Sequence, residues 1–219
     1  MSPRPRFLST ISEQACPGLG DVLLALAAEF GATTTGRVDD DLDARALQAM
    51  PARGQDALAQ ATALRAALCD IDRAPTGHGT RAFRVDMAVA DLRADPLLLV
   101  VIGAEVAARA GLRFGVSASG KEHLLVFRGP TGPAGPVALD LAHPARPILT
   151  GDAVPTPLVR RCGHQLAFAL LNGLAVDAWL AGDLANAEHA CDLRLQLPID
   201  GATRERIELE AKRLRASRN

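Results

Sequence analysis

The chain has 219 residues, 48% of them hydrophobic and 22% charged, enough apolar material for one sizeable core with or without a helical annex. Its 24 basic residues balance 25 acidic ones, so bulk charge draws it neither to nucleic acid nor to a membrane surface, and the longest uncharged apolar run, 96–104, is too short to span a bilayer. Four scattered cysteines (Cys16, Cys69, Cys162, Cys191) form no CxxC pair and no apolar leader precedes Ser9, so the expectation is a reduced, cytoplasmic protein.

In chain order, residues 1–18 read as a tail with several prolines. Asp21 caps an expected short helix over Val22–Phe30, stopped by Gly31. The acidic run Asp39–Asp43 precedes a helix over Ala44–Met50 and suits the positive end of its dipole. Asp56–Leu68 is amphipathic, with Leu58, Ala61, Leu64 and Leu68 on its inner side. Ile71–Arg81 has the composition of a loop, and Val85–Leu92 reads as a helix that turns Val85, Val89 and Leu92 inward. Asp95 followed by Pro96 is a strong helix start, an N-cap with proline at the first helical position. Because Leu97–Ile102 is apolar on all sides, this helix is expected to be buried and to end near Gly111.

The alternation of Leu112, Phe114 and Val116, and then of Leu124 and Val126, predicts antiparallel strands. Residues 129–136 form a Gly/Pro connection, Val137–Leu141 resumes the sheet, and His143–Asp152 is a linker. Beyond Pro157 a helix is expected over Leu158–Ala181, a turn at Gly182-Asp183, and a second helix over Leu184–Leu197, broken by Pro198. A third, charged helix over Thr203–Ser217 turns Ile207, Ala211 and Leu214 inward. The fold expected is α+β: N-terminal helices, a small antiparallel sheet on the buried helix, and a C-terminal helical hairpin. Domain boundaries are expected at 1–150 and 151–219.

Two segments carry a family resemblance. Asp95-Pro-Leu-Leu-Leu-Val-Val-Ile-Gly-Ala-Glu-Val-Ala-Ala-Arg-Ala-Gly-Leu, with the later Glu122-His-Leu-Leu-Val and Val137-Ala-Leu-Asp-Leu, resembles the central helix and the histidine and aspartate strands of SirB-type transglutaminase-like proteins. Leu170–Ala190, with its Gly182-Asp183 turn and Ala187, resembles the tetratricopeptide-like hairpin that follows the core in that family, although Pro198 comes slightly early. Together they cover most of 85–216; the early helices fit loosely. The resemblance implies a transglutaminase-like (cysteine-protease-like) core in which His123 is the base, Asp140 fixes its tautomer, and a thiol sits at the N-terminus of the buried helix. That thiol belongs around Pro96–Leu98, yet no Cys, Ser or Thr occurs between Arg81 and Val116. Nucleophilic catalysis by a thiol or hydroxyl on this helix is therefore excluded.

The remaining candidates each have a plainer alternative. Cys69 ends a predicted helix, where the dipole disfavours a thiolate, and the other cysteines lie in the tail regions; all four also read as small buried apolar side chains. His123 reads equally as a strand-start histidine bonded to a neighbour, and Asp140 as a carboxylate capping the turn into Ala142-His143-Pro144. His78 is an exposed loop histidine; Cys162/His164 and His189/Cys191 are spaced two apart on helices, where side chains diverge, so neither pair suits zinc. Arg204–Arg218 is a solvated helix face, and Gly18-Leu-Gly20 lacks the Lys-Ser/Thr of a phosphate loop. The reading is a catalytically inactive transglutaminase-like protein that binds a protein or peptide partner, without cofactor, metal, nucleic acid or membrane. The alternatives are a non-thiol hydrolase or transferase using His123 and Asp140 on a peptide or amide, and a structural subunit completed as a homodimer.

Overall fold

The computed structural model describes residues 6–12, 16–32, 36–74, 79–130, 132, 135–143 and 145–218. The chain opens with helices α1 (Arg6–Ser12), α2 (Leu19–Glu29), α3 (Gly36–Ala49) and α4 (Ala57–Ala67). α1 falls within the expected tail: it turns Phe7 and Ile11 into the core, and that burial supports a helix too short to hold by itself. α2 starts at Leu19, so Asp21 lies inside its first turn instead of capping it. The Asp39–Asp43 run likewise lies inside α3, where it is tied down by arginines: Arg45 Nε donates to Asp41 at 2.8 Å, and Arg109 Nη2 to Asp39 at 2.8 Å. In α4, capped by Asp56, Leu58 is exposed and Gln60 takes an inner position, donating to Gln55 O at 2.7 Å and accepting from Arg113 N at 3.2 Å.

Strands β1 (Asp72–Arg73) and β2 (Arg93–Ala94) pair in parallel on either side of α5 (Val85–Asp91), which ends at a left-handed, exposed Leu92 instead of turning it inward. α6 (Pro96–Arg109) then starts as the sequence predicts. Asp95 accepts from the Leu97 N–H at 2.8 Å, Pro96 occupies the first turn, and Leu98–Ala104, Val106 and Ala107 are buried.

β3 (Phe114–Ser119) and β4 (Glu122–Phe127) form a hairpin, and β5 (Val137–Leu139), β6 (Leu149–Thr150) and β7 (Val159–Arg160) complete an antiparallel sheet of order β6-β5-β4-β3-β7. Two of these strands lie outside the sequence expectation. β6 sits in the expected linker and β7 at the start of the expected C-terminal helix, where it pairs with β3 through Ser117↔Arg160 and Ala118↔Val159.

The remainder is helical: α7 (Gly163–Leu180), α8 (Leu184–Arg194) and α9 (Gly201–Arg218). Gly182, at φ 77°, makes the left-handed turn between α7 and α8, and Asp183 caps α8 by accepting from Asn186 N at 3.2 Å. Leu166, Leu170, Leu171 and Leu174 of α7 belong to the same apolar cluster as α2, α6 and the sheet, while Ile207, Ala211 and Leu214 of α9 close a smaller one with Ala187 and Cys191. The molecule is therefore a mixed α+β structure with a small antiparallel sheet seated on a buried helix.

Candidate functional site

The first turn of α6, the start of β4 and the end of β5 converge on a cleft of about 250 Å³. Asp95, Pro96 and Leu97 form one wall, Lys121 and His123 another, and Asp140 and His143 the floor. His123 and Asp140 thus line one cavity beside the helix start. They do not form a pair. Asp140, only 3% exposed, accepts from His143 Nδ1 at 2.9 Å, from the His143 backbone N–H at 3.2 Å and from Arg146 Nη1 at 2.9 Å. Because a carboxylate held by a guanidinium can only accept, His143 Nδ1 carries the proton of this bond.

Asp140 therefore caps the turn into Ala142-His143, the plainer of its two sequence readings, and also orients the His143 ring. The signal was present in the Asp-Leu-Ala-His spacing, since an aspartate at the head of a turn reaches the backbone and side chain three positions on. His123 is half-buried on β4, opposite Ala118, and no hydrogen bond engages its ring among the described residues. Burial, reinforced by the Arg161 charge, lowers its pKa, so it stands neutral in the cleft near pH 7.

Asp95 caps the start of α6 on the edge of this cleft. Burial raises its carboxyl above the ordinary range, with Asp177 adding to the rise, while the Leu97 and Leu98 N–H groups and Arg73 oppose it. The helix start that would hold a thiolate in a cysteine hydrolase is thus capped by a carboxylate, with Pro96 and Leu97 lining the cleft.

The other sequence candidates are engaged elsewhere. His164 Nε2 lies 2.9 Å from Ile11 O, and His189 lies 3.4 Å from Glu29 and edge-on to Phe30. Buried Cys191 accepts from Arg194 Nη2 at 2.9 Å, and burial raises its thiol pKa. Cys69, just past α4, and Cys16 are exposed, so the expectation of buried thiols holds for Cys191 and fails for these two. His78 lies outside the described residues. Among the described residues no group of three or more metal-binding side chains is assembled, and no helix is long and apolar enough to cross a membrane.

A second feature lies between α7 and α9. Val176 and Trp179 border a groove of about 380 Å³ whose far wall is Glu210, Arg213, Leu214 and Ser217 of α9. Trp179, the chain's single tryptophan, is 57% exposed, and Leu180 beside it is exposed as well. Glu210 is paired to Arg194 at 3.0 Å, whereas Arg213 makes no ion pair among the described residues.

Comparison with protein-family models, with curated proteins and with solved structures finds no match.

Proposed function

We propose that the chain is a catalytically inactive transglutaminase-like protein of SirB type, acting as a binding or regulatory module for a protein or peptide partner. The observation that carries this reading is the groove at Trp179: a large, exposed aromatic beside Val176, walled by a charged helix, is the kind of anchor that dominates helix-in-groove recognition. The partner it suits is an amphipathic helix, its apolar face on Val176 and Trp179 and an acidic residue facing Arg213. The α6 start supports the inactive half of the reading, since Asp95-Pro96-Leu97 offers no thiol or hydroxyl to the cleft. Affinity enrichment with the wild-type chain and with Trp179→Glu tests it. A partner retained at least tenfold better by wild type supports the reading; equal retention, or self-association alone, overturns it.

One observation favours a second reading, a non-thiol hydrolase or transferase acting on a peptide or amide. His143, oriented by Asp140, opens on the cleft that also holds His123, an arrangement suited to activating a water as general base. Amine release from peptide amides that His143→Gln abolishes would establish it in place of the first.

A further inference from the structure

The N-terminus of α7 gathers two thiols from opposite ends of the chain. Cys162 is its N-cap residue; its backbone N–H donates to Gln165 Oε1 at 3.1 Å, and its side chain faces the Gln165 N–H in return. Cys16 arrives from the N-terminal segment, and its Sγ accepts from the Gly163 N–H at 3.4 Å. Covalent geometry between Gly163 N and the preceding Cα then puts the Cys16 sulfur within about 6 Å of the Cys162 Cα. The approach is enforced by the backbone. A Cβ at Gly163 would collide with the Pro17 carbonyl oxygen, so glycine at the first helical position is what lets Cys16-Pro17 lie against α7. His164 Nε2, 2.9 Å from Ile11 O, is a second tie between the same two segments.

We propose that Cys16 and Cys162 are a redox-active pair that closes to a disulfide on meeting a low-molecular-weight disulfide such as oxidised glutathione. Exposed Cys16 meets the oxidant first. Its thiolate attacks one sulfur of glutathione disulfide, forming a mixed disulfide and releasing one glutathione thiolate. The Cys162 thiolate, half-buried alongside, then attacks the Cys16 sulfur, and the second glutathione leaves. Two protein thiols are oxidised, one glutathione disulfide is reduced to two glutathiones, and the thiol protons pass to solvent. The bond would staple the α1–α2 connection to the start of α7, holding the helical C-terminal region on the N-terminal helices when the thiol pool turns oxidising. The remaining cysteines serve as internal controls: Cys69 is exposed just past α4, and Cys191 is buried against Arg194.

The test uses the full wild-type chain, equilibrated with oxidised glutathione and digested without reduction for mass spectrometry. The expected result is a Cys16–Cys162 cross-linked peptide as the dominant product, a single glutathione adduct on Cys69, and an unmodified Cys191. Separate glutathione adducts on Cys16 and Cys162, linkage to other cysteines, or two unreacted thiols would each overturn the proposal. Cys162→Ser gives the second readout. Oxidation should raise the thermal midpoint of wild type by about 5 °C or more and leave this variant, which carries glutathione on Cys16, unshifted.

Discussion

Asp140 holds His143, not His123: its Oδ2 accepts from His143 Nδ1 at 2.9 Å and from Arg146 Nη1 at the same distance, while His123 stands on the neighbouring strand. The carboxylate is buried and both its partners are local, so the Asp140 turn is a structural unit before it is anything else. Asp140→Asn, which keeps the shape but loses the charge, should cost about 1–3 kcal/mol. His123→Gln should cost less than about 1 kcal/mol, since it breaks no hydrogen bond among the described residues. Urea denaturation of both variants measures this; an equal cost at His123 would mean that the two residues act as a pair after all.

The cleft also makes a pH prediction. The His123 pKa is depressed in the folded chain by burial and then by Arg161. The folded state therefore binds fewer protons than the unfolded state below about pH 6.5, the ordinary histidine value. The stability this group contributes is present above that pH and is lost as pH falls toward its folded pKa. Wild type should lose more stability than His123→Gln between about pH 7.5 and 5, and NMR titration should place the His123 midpoint below that of a free histidine. A midpoint at or above the free value would contradict the buried, unpaired setting.

Asp95 carries the opposite sign. Its carboxyl pKa is raised by burial, so the folded chain takes up a proton before the unfolded one does. Relative to Asp95→Asn, which keeps an acceptor for the Leu97 N–H, wild type should gain stability as pH falls through the raised pKa. Paired denaturation curves at neutral and mildly acidic pH read the difference; a gap that stays constant would show that Asp95 is solvated like an ordinary aspartate.

The seating of α6 on the sheet rests on a missing side chain. A Cβ at Gly103 would stand 2.6 Å from Leu141 Cδ1 and 2.7 Å from Leu125 Cδ1, both buried. Gly103→Ala gains about 1 kcal/mol of helix propensity in isolation, but overpacking at a closed core costs about 1–3 kcal/mol. Net destabilisation is expected in a thermal or urea melt. A more stable variant would mean that the helix–sheet contact is looser than the structure shows.

These sites differ in how much of them the sequence displayed. α6 and the β3–β4 hairpin were legible because their signals are local: Asp95-Pro96 starts the helix, and apolar alternation sets the strands. β7 was not, because Val159–Arg160 becomes a strand only by pairing with Ser117–Ala118, some forty positions away. α1 was read as tail because its seven residues gain their stability from burying Phe7 and Ile11, a tertiary effect that composition does not carry. Leu58, expected inward, is exposed, and Gln60 is buried in α4 for a similar reason. Gln60 finds partners at Gln55 and Arg113, and a satisfied amide can occupy an inner position that an apolar pattern assigns to leucine. At the cleft, the partner of Asp140 follows from turn chemistry, the capping of the turn into Ala142-His143, and not from the resemblance, which couples Asp140 to His123.

The proposed partner site, the α7–α9 groove at Trp179, can be read directly from the tryptophan itself. The chain has one tryptophan, so 5-fluorotryptophan labelling gives a single 19F resonance that reports on Trp179 alone. On titration with an unlabelled partner recovered by the wild-type chain but not by Trp179→Glu, that resonance should shift and saturate at one partner per chain, with Arg213→Glu weakening the isotherm by about tenfold. A resonance that stays unmoved at saturating partner would contradict the account, since binding would then lie elsewhere on the molecule.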